Sequence, residues 1–176
     1  ETEKPRITFV SPTAGAGLTN NKPAIKVKVT DTGSGIDLST FKLAIDSTTV
    51  TIDKCTKTSV TGGYEITYTP TTALSDGSHT ITANVSDNDG NAATAASISI
   101  KVDTVPPTLT VTSPTDASYT NNNTCTVSGT TNDATSSPVT VKITVNGTDA
   151  GAVTVQSNGS FSKAITLANG DNTIVV

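Results

Sequence analysis

Apolar and polar residues alternate along most of this chain. Ile25, Val27 and Val29 are interleaved with Lys26, Lys28 and Thr30, and Phe41, Leu43 and Ile45 with Lys42, Ala44 and Asp46. The same rhythm runs through Ile7 and Phe9, through Tyr64, Ile66 and Tyr68, through His79, Ile81, Ala83 and Val85, and through Ile98, Ile100 and Val102. A period of two puts one apolar and one polar face on each segment, as in a half-buried antiparallel strand. Turn-forming runs separate the segments: Thr32-Gly33-Ser34-Gly35, Thr61-Gly62-Gly63, Ser75-Asp76-Gly77 and Asn88-Asp89-Gly90-Asn91. Val50-Thr51-Ile52 adds a possible short strand before Cys55. An all-β chain is predicted. Its composition agrees, because Thr, Ser, Asn and Val suit strands and turns better than helices.

The pattern occurs twice. Lys4-Pro5-Arg6-Ile7-Thr8-Phe9-Val10-Ser11-Pro12-Thr13 returns as Pro106-Pro107-Thr108-Leu109-Thr110-Val111-Thr112-Ser113-Pro114-Thr115, an offset of 107 − 5 = 102 residues. Leu74 to Ile81 returns as Leu167 to Ile174, an offset of 170 − 77 = 93. A repeat of about 100 residues makes a domain array rather than a solenoid. About seven strands in about 100 residues is the pattern of an immunoglobulin-like sandwich. The expected architecture is therefore two tandem immunoglobulin-like β-sandwich domains, residues 1–102 and 103–176. In the second, Cys125 and Val127 mark the second strand, and Val139, Val141, Ile143 and Val145 the third. Val153 and Val155, Phe161 to Leu167 and Thr173 to Val176 follow. Lys163 falls on the apolar phase, so an edge or bulge position is expected there. By the closing match Val176 corresponds to Ala83, so the second domain is expected to be truncated before its last strand. Lys101 to Pro107 reads as the linker, held extended by Pro106 and Pro107.

Asp103-x-x-Pro106-Pro107 followed by an alternating strand and Ser113-Pro114 resembles the start of a bacterial immunoglobulin-like repeat, as found in surface adhesins and multidomain surface enzymes. Asp31 to Asp37 is similar to the early loop of such repeats. Tyr68-Thr69-Pro70 through Leu74, Asp76-Gly77, His79 and Asp87-x-x-Gly90-Asn91 is similar to their closing half. Val145-Asn146-Gly147, Gly159-x-Phe161 and Gly170-x-Asn172 resemble a related subtype. The resemblance implies an exported, extracellular or cell-surface protein whose partners are neighbouring repeats in the same chain. It implies a non-catalytic spacer or stalk. The alternatives are an adhesin module binding a host protein or glycan, or an accessory domain of a polysaccharide-acting enzyme.

Charge and motifs narrow the chemistry. A net charge of −4 argues against nucleic-acid binding. No apolar run approaches the ~20 residues of a membrane span. The two cysteines, Cys55 and Cys125, fall one in each repeat and are expected to be unbonded and partly buried. No Gly-x-Ser-x-Gly elbow accompanies the single histidine, His79, whose counterpart in the second repeat is Asn172. His79 reads as a polar tie between a loop and its strand, and no catalytic residue is expected. Asp87-Asn88-Asp89-Gly90 has the spacing of an acidic metal loop, yet the twelfth position is Ile98, which rules out an EF-hand. Two readings stay open. Asp31, Asp87 and Asp89, with Glu1 or Glu3, would meet at one end of the sandwich and take Ca²⁺, or these residues cap their own turns. At the second module the corresponding acids are Asp103 and Asp133.

Overall fold

The computed structural model describes residues 2–133 and 139–176. The chain divides into two compact units, Glu1–Thr104 and Val105–Val176. In the first, β1 (Arg6–Ser11), β3 (Ile25–Thr30), β7 (Gly63–Tyr68) and β6 (Thr56–Val60) form one sheet, in the order β1-β3-β7-β6. The other sheet has the order β2-β9-β8-β4-β5. It is built from β2 (Gly17–Leu18), β9 (Ala96–Val102), β8 (Gly77–Asp87), β4 (Ile36–Ile45) and β5 (Thr48–Thr51). Neighbours pair antiparallel, except that β2 lies parallel to β9 through Gly17–Lys101 and Leu18–Val102.

The core lies between these two sheets, where the alternation places it. Ile25, Val27, Val29 and Ile66 come from one sheet, and Phe41, Leu43, Ile81, Ala83 and Ile100 from the other. All are at most 2 % exposed and belong to one cluster. Each large aliphatic or aromatic side chain buried this way contributes about 1.5–3 kcal/mol.

The second unit repeats the plan with less regular structure. Among its described residues, β10 (Leu109–Ser113), β11 (Thr124–Thr131) and β14 (Ser160–Thr166) form one sheet. The short strands β12 (Thr144–Val145), β13 (Thr148–Asp149) and β15 (Ile174–Val175) form the other. A register shift between Phe9 and Ser11 in β1 recurs between Val111 and Ser113 in β10, at the 102-residue offset. Val127, Ile143, Phe161 and Ile165 are buried together, a smaller core than that of the first unit.

Three expectations change. The strand expected over Val139 to Val145 is laddered only at Thr144–Val145, although Val141 and Ile143 are buried. The alternation put side chains inside without recruiting a partner backbone along the whole segment. Lys101 and Val102 belong to β9, and Asp103 and Thr104 are also held by the first unit. The Asp103 N–H donates to the Leu18 carbonyl at 2.9 Å, and the Thr104 N–H and hydroxyl donate to Asp76 Oδ1 at 2.9 Å each. The boundary therefore falls after Thr104 rather than after Val102. Finally, β6 (TKTSV) has no apolar alternation to predict a strand, yet it pairs with β7 through its backbone, from Thr56–Thr67 to Val60–Gly63. Lys163 stands on β14, at the edge of its sheet, in regular register with Val127, and its Nζ donates to the Ala152 carbonyl at 3.1 Å.

Candidate functional site

Asp31 follows β3 directly, and Asp87 ends β8, so the two lie at the same end of the first sandwich. Each folds its own turn. Asp31 Oδ2 accepts from the Gly33 N–H at 3.0 Å and the Gly35 N–H at 2.8 Å. Asp87 Oδ1 accepts from the Asp89 N–H at 3.0 Å and the Asn91 N–H at 2.7 Å, and its Oδ2 accepts from Asn91 Nδ2 at 2.8 Å. A carboxylate that accepts backbone N–H groups of the next few residues is the standard Asx-turn device. Burial alone would raise the Asp87 carboxyl. The Asn91 side-chain amide, then the backbone N–H groups of Asn91 and Asp89, outweigh that and hold it below its ordinary value.

The two turns meet through other groups. The Asn88 N–H donates to the Gly35 carbonyl at 3.0 Å, Asn88 Nδ2 donates to the Ser34 carbonyl at 2.7 Å, and Ile36 pairs with Asp87 in the sheet. A third loop joins at the Asp31 N–H, which donates to the Gly62 carbonyl at 2.9 Å. The structure thus brings the loops of Asp31 and Asp87 together. Asp89 is exposed. Among the described residues no three His, Cys, Asp or Glu side chains converge to hold a metal ion, and Glu1 lies outside the described residues. Asp31 Oδ1 is buried and accepts no hydrogen bond from the described residues, while the residue as a whole is 9 % exposed.

His79, 6 % exposed, sits at the other end of β8. Its Nδ1 lies 2.8 Å from Asp46 Oδ2 and its Nε2 2.8 Å from the Ser75 carbonyl. Neither ring nitrogen faces open space or a nucleophile. Cys55 and Cys125 are free thiols, Cys55 buried with its S–H donating to the Thr51 carbonyl at 3.6 Å, and Cys125 half-buried. Burial pushes the Cys55 thiol up, which disfavours the reactive thiolate.

The second unit has an open cleft of about 1130 Å³ lined by Val111, Tyr119, Cys125, Leu167 and Ile174 among others. Tyr119 is fully exposed. The remaining rings do not form a platform: Phe41 and Phe161 are buried, and Phe9, Tyr64 and Tyr68 pack half-buried on the first core.

The roles of Asp46, Asn146 and Asn88 at these sites come from the structure. Asp46 and Asn146 stand at positive φ, 53° and 51°, in hairpin turns. Asn88 falls in a turn run and in a metal-loop spacing, and neither indicates that it ties its turn to the Ser34 and Gly35 carbonyls. The signal for Asp46 and Asn146 was the turn position, since Asp and Asn tolerate left-handed backbone.

Residues 10–104 match the family described as bacterial Ig-like domain, and residues 107–176 match glucodextranase domain B. No curated protein matches the sequence. Among solved structures, the fibronectin(III)-like modules of Clostridium thermocellum CbhA share 18 % identity with a TM-score of 0.48, covering 96 % of this chain and 83 % of that one. Dimeric latent PorU from Porphyromonas gingivalis shares 17 % identity with a TM-score of 0.49, covering 99 % of this chain and 17 % of that one. The endo-β-1,4-mannanase from Thermotoga petrophila shares 15 % identity with a TM-score of 0.47, covering 58 % of this chain and 20 % of that one. These structural likenesses carry no functional argument. This chain spans only 20 % of the mannanase's length. The sequence match to the Ig-like family covers more than half of the chain, and the sandwich, its paired sheets and its repeated strand bulge agree with it. The chain belongs to the bacterial Ig-like domain family.

Proposed function

We propose that the chain is a non-catalytic structural spacer, a pair of Ig-like modules from an exported bacterial surface protein whose partners are neighbouring modules of the same protein. The observation that carries this reading is how the polar side chains are engaged. Asp31, Asp87 and His79 all bind the backbone of their own module's loops, so the groups best suited to chemistry maintain the shape of the sandwich. Bacterial Ig-like domains are in general such non-catalytic modules of extracellular or surface proteins. Among the described residues no helix is long and apolar enough to cross a membrane.

A second reading, the accessory domain of a polysaccharide-acting enzyme, is favoured by the match of residues 107–176 to glucodextranase domain B. Co-sedimentation with insoluble glucans and mannans, together with affinity electrophoresis on soluble ones, separates the two. The spacer is expected to show no retention. Binding with a Kd tighter than about 1 mM would replace the spacer by the accessory reading. Capture on immobilised host glycoproteins would replace it by an adhesin.

A subsidiary proposal places calcium at Asp31, Asp87 and Asp89. It is supported by the buried Asp31 Oδ1, which has no donor, and by the hard oxygen chemistry of these side chains. The turn donors already on Asp31 and Asp87 oppose it. A ligand that binds only the native state stabilises it by about 2.7 kcal/mol at 100 times its Kd. Millimolar Ca²⁺ is expected to raise the melting temperature of the wild type and not of Asp31→Asn. Coincident melting curves in chelator and in Ca²⁺ would leave these aspartates as turn anchors alone.

A further inference from the structure

The surroundings of His79 are built twice in this chain, once with charged and once with neutral groups. In the first unit the Asp46 N–H donates to the Thr80 carbonyl at 2.8 Å, and the Thr80 N–H donates to Asp46 Oδ1 at 2.9 Å. In the second unit the Asn146 N–H donates to the Thr173 carbonyl at 2.8 Å, and the Thr173 N–H donates to Asn146 Oδ1 at 2.8 Å. Asp46 and Asn146 share a left-handed φ. Each then reaches the residue before that threonine. Asp46 Oδ2 meets His79 Nδ1, and Asn146 Nδ2 donates to Asn172 Oδ1 at 3.0 Å. Each of those residues reaches back four positions to a loop carbonyl: His79 Nε2 to Ser75 at 2.8 Å, and Asn172 Nδ2 to Ala168 at 2.8 Å.

An asparagine amide carries a donor and an acceptor together, so the second unit satisfies every contact without a net charge. The first unit does not have that choice. A carboxylate and a carbonyl oxygen both only accept, and a neutral imidazole has one N–H. Both contacts are satisfied only when the ring carries both protons. Removing one leaves a nitrogen lone pair facing an oxygen lone pair at a position that is 6 % exposed, where an unsatisfied polar contact is costly.

The loop that His79 holds has a further task. Residue 76 of that loop, Asp76, accepts from the Thr104 N–H and hydroxyl at 2.9 Å each, and its second oxygen accepts from the hydroxyl at 3.1 Å. Thr104 is the last residue of the first unit. The neighbouring loop position Leu74 donates its N–H to the Asn21 carbonyl at 2.9 Å. We propose that His79 is a proton-operated clasp: its imidazolium bridges the Asp46 turn to the Ser75 carbonyl, and loss of one proton loosens the 74–76 loop and with it the hold of Asp76 on Thr104.

The charged group facing the ring is Asp46, on the turn between β4 and β5. Asp76 is the acidic neighbour on the loop, engaged with Thr104. Across the ladder, β9 presents Ile100, which has no charge. Burial disfavours the charged ring, but the hydrogen bonds to Asp46 and to Ser75 and the Asp46 charge outweigh it, so the ring stays protonated above the ordinary value of 6.5. Asp46 is held below its ordinary 3.8, chiefly by the His79 bond and then by the Thr80 N–H. The signs follow from linkage. The His79 contribution is complete below 6.5 and is lost as pH rises through the raised folded value. The Asp46 contribution is complete above 3.8 and is lost as pH falls through its lowered value. The clasp is tightest between these limits.

Because the chain holds one histidine, its ring signals are unambiguous by NMR. In the full chain, ring shifts and intrinsic-rate-corrected amide exchange are followed between about pH 5 and pH 9. The wild type is expected to titrate with a midpoint above 6.5 and to lose Thr104 amide protection severalfold in the same step. Protection of the Ala168 and Thr173 amides, held by the neutral pair, is expected to stay level across that step. Asp46→Asn should move the midpoint down. Asp46→Asn with His79→Asn installs the second unit's pair in the first and should abolish the step. A wild-type midpoint at or below 6.5, or Thr104 protection that ignores the titration, overturns the proposal, and Asp46→Asn alone carries the test if the double variant does not fold.

Discussion

Phe41→Ala is expected to lower the stability of the first unit by about 3–5 kcal/mol. Phe41 is 1 % exposed on β4 and belongs to the cluster that joins the two sheets. Among the described residues it is the largest fully buried side chain. Truncation removes its apolar area and leaves a cavity among Ile, Val and Leu side chains held by two hydrogen-bonded sheets, which limits collapse. For a domain of this size a loss of 1 kcal/mol lowers Tm by about 4–8 °C, so the transition of the first unit should fall by more than about 10 °C. Differential scanning calorimetry of the full chain measures this. A loss under about 1 kcal/mol would mean that the site relaxes around the missing ring, and the core would then be looser than its burial indicates.

Gly159→Ala is expected to destabilise the second unit by about 2–5 kcal/mol, while Gly170→Ala costs only about 1–2 kcal/mol. Both glycines have positive φ, +83° and +90°. Both substitutions therefore incur the left-handed penalty of an L-residue. They differ in surroundings. A Cβ on Gly159 would fall on the Thr131 carbonyl oxygen, whereas a Cβ on Gly170 meets nothing within 4 Å. The close approach exists because the Thr131 N–H donates to the Gly159 carbonyl at 2.8 Å and draws the 156–159 turn onto the end of β11. The small core of this unit makes the loss a large share of its stability. Urea unfolding of the two variants side by side tests the difference. Equal losses would show that backbone conformation alone, and not the contact with β11, requires glycine at position 159.

The acidic end of the first sandwich shows where residue patterns stop being informative. The positions of Asp31, Asp87 and Asp89 in turns were readable, because Asp beside Gly and Asn is a local signal. Which donors their oxygens would find was not. A metal cage and a set of Asx turns use the same side chains, and they differ in whether the oxygens point at one another or at the following N–H groups. Asp31 Oδ2 and Asp87 Oδ1 point at N–H groups of their own turns, while Asp31 Oδ1 accepts none from the described residues. The same limit applies to His79. Its correspondence to Asn172 was legible from the repeat, but its partner Asp46 lies 33 residues away, on a hairpin that only the packing of β4 against β8 brings alongside.

The all-β class, the tandem repeat and the membership of most of the first core were legible in the residue pattern, because a period of two assigns each side chain to a face and burying that face drives the sheets together. Ile25, Val27, Val29, Phe41, Leu43, Ile81 and Ile100 are buried where that period puts them. The polar hairpin strand β6, the parallel pairing of β2 with β9, and the capture of Asp103 and Thr104 by the first unit emerge only once the chain is folded. These depend on backbone hydrogen bonds and on one carboxylate reaching across a loop. Backbone donors and acceptors are the same in every residue but proline, so no pattern of side chains announces which of them will meet.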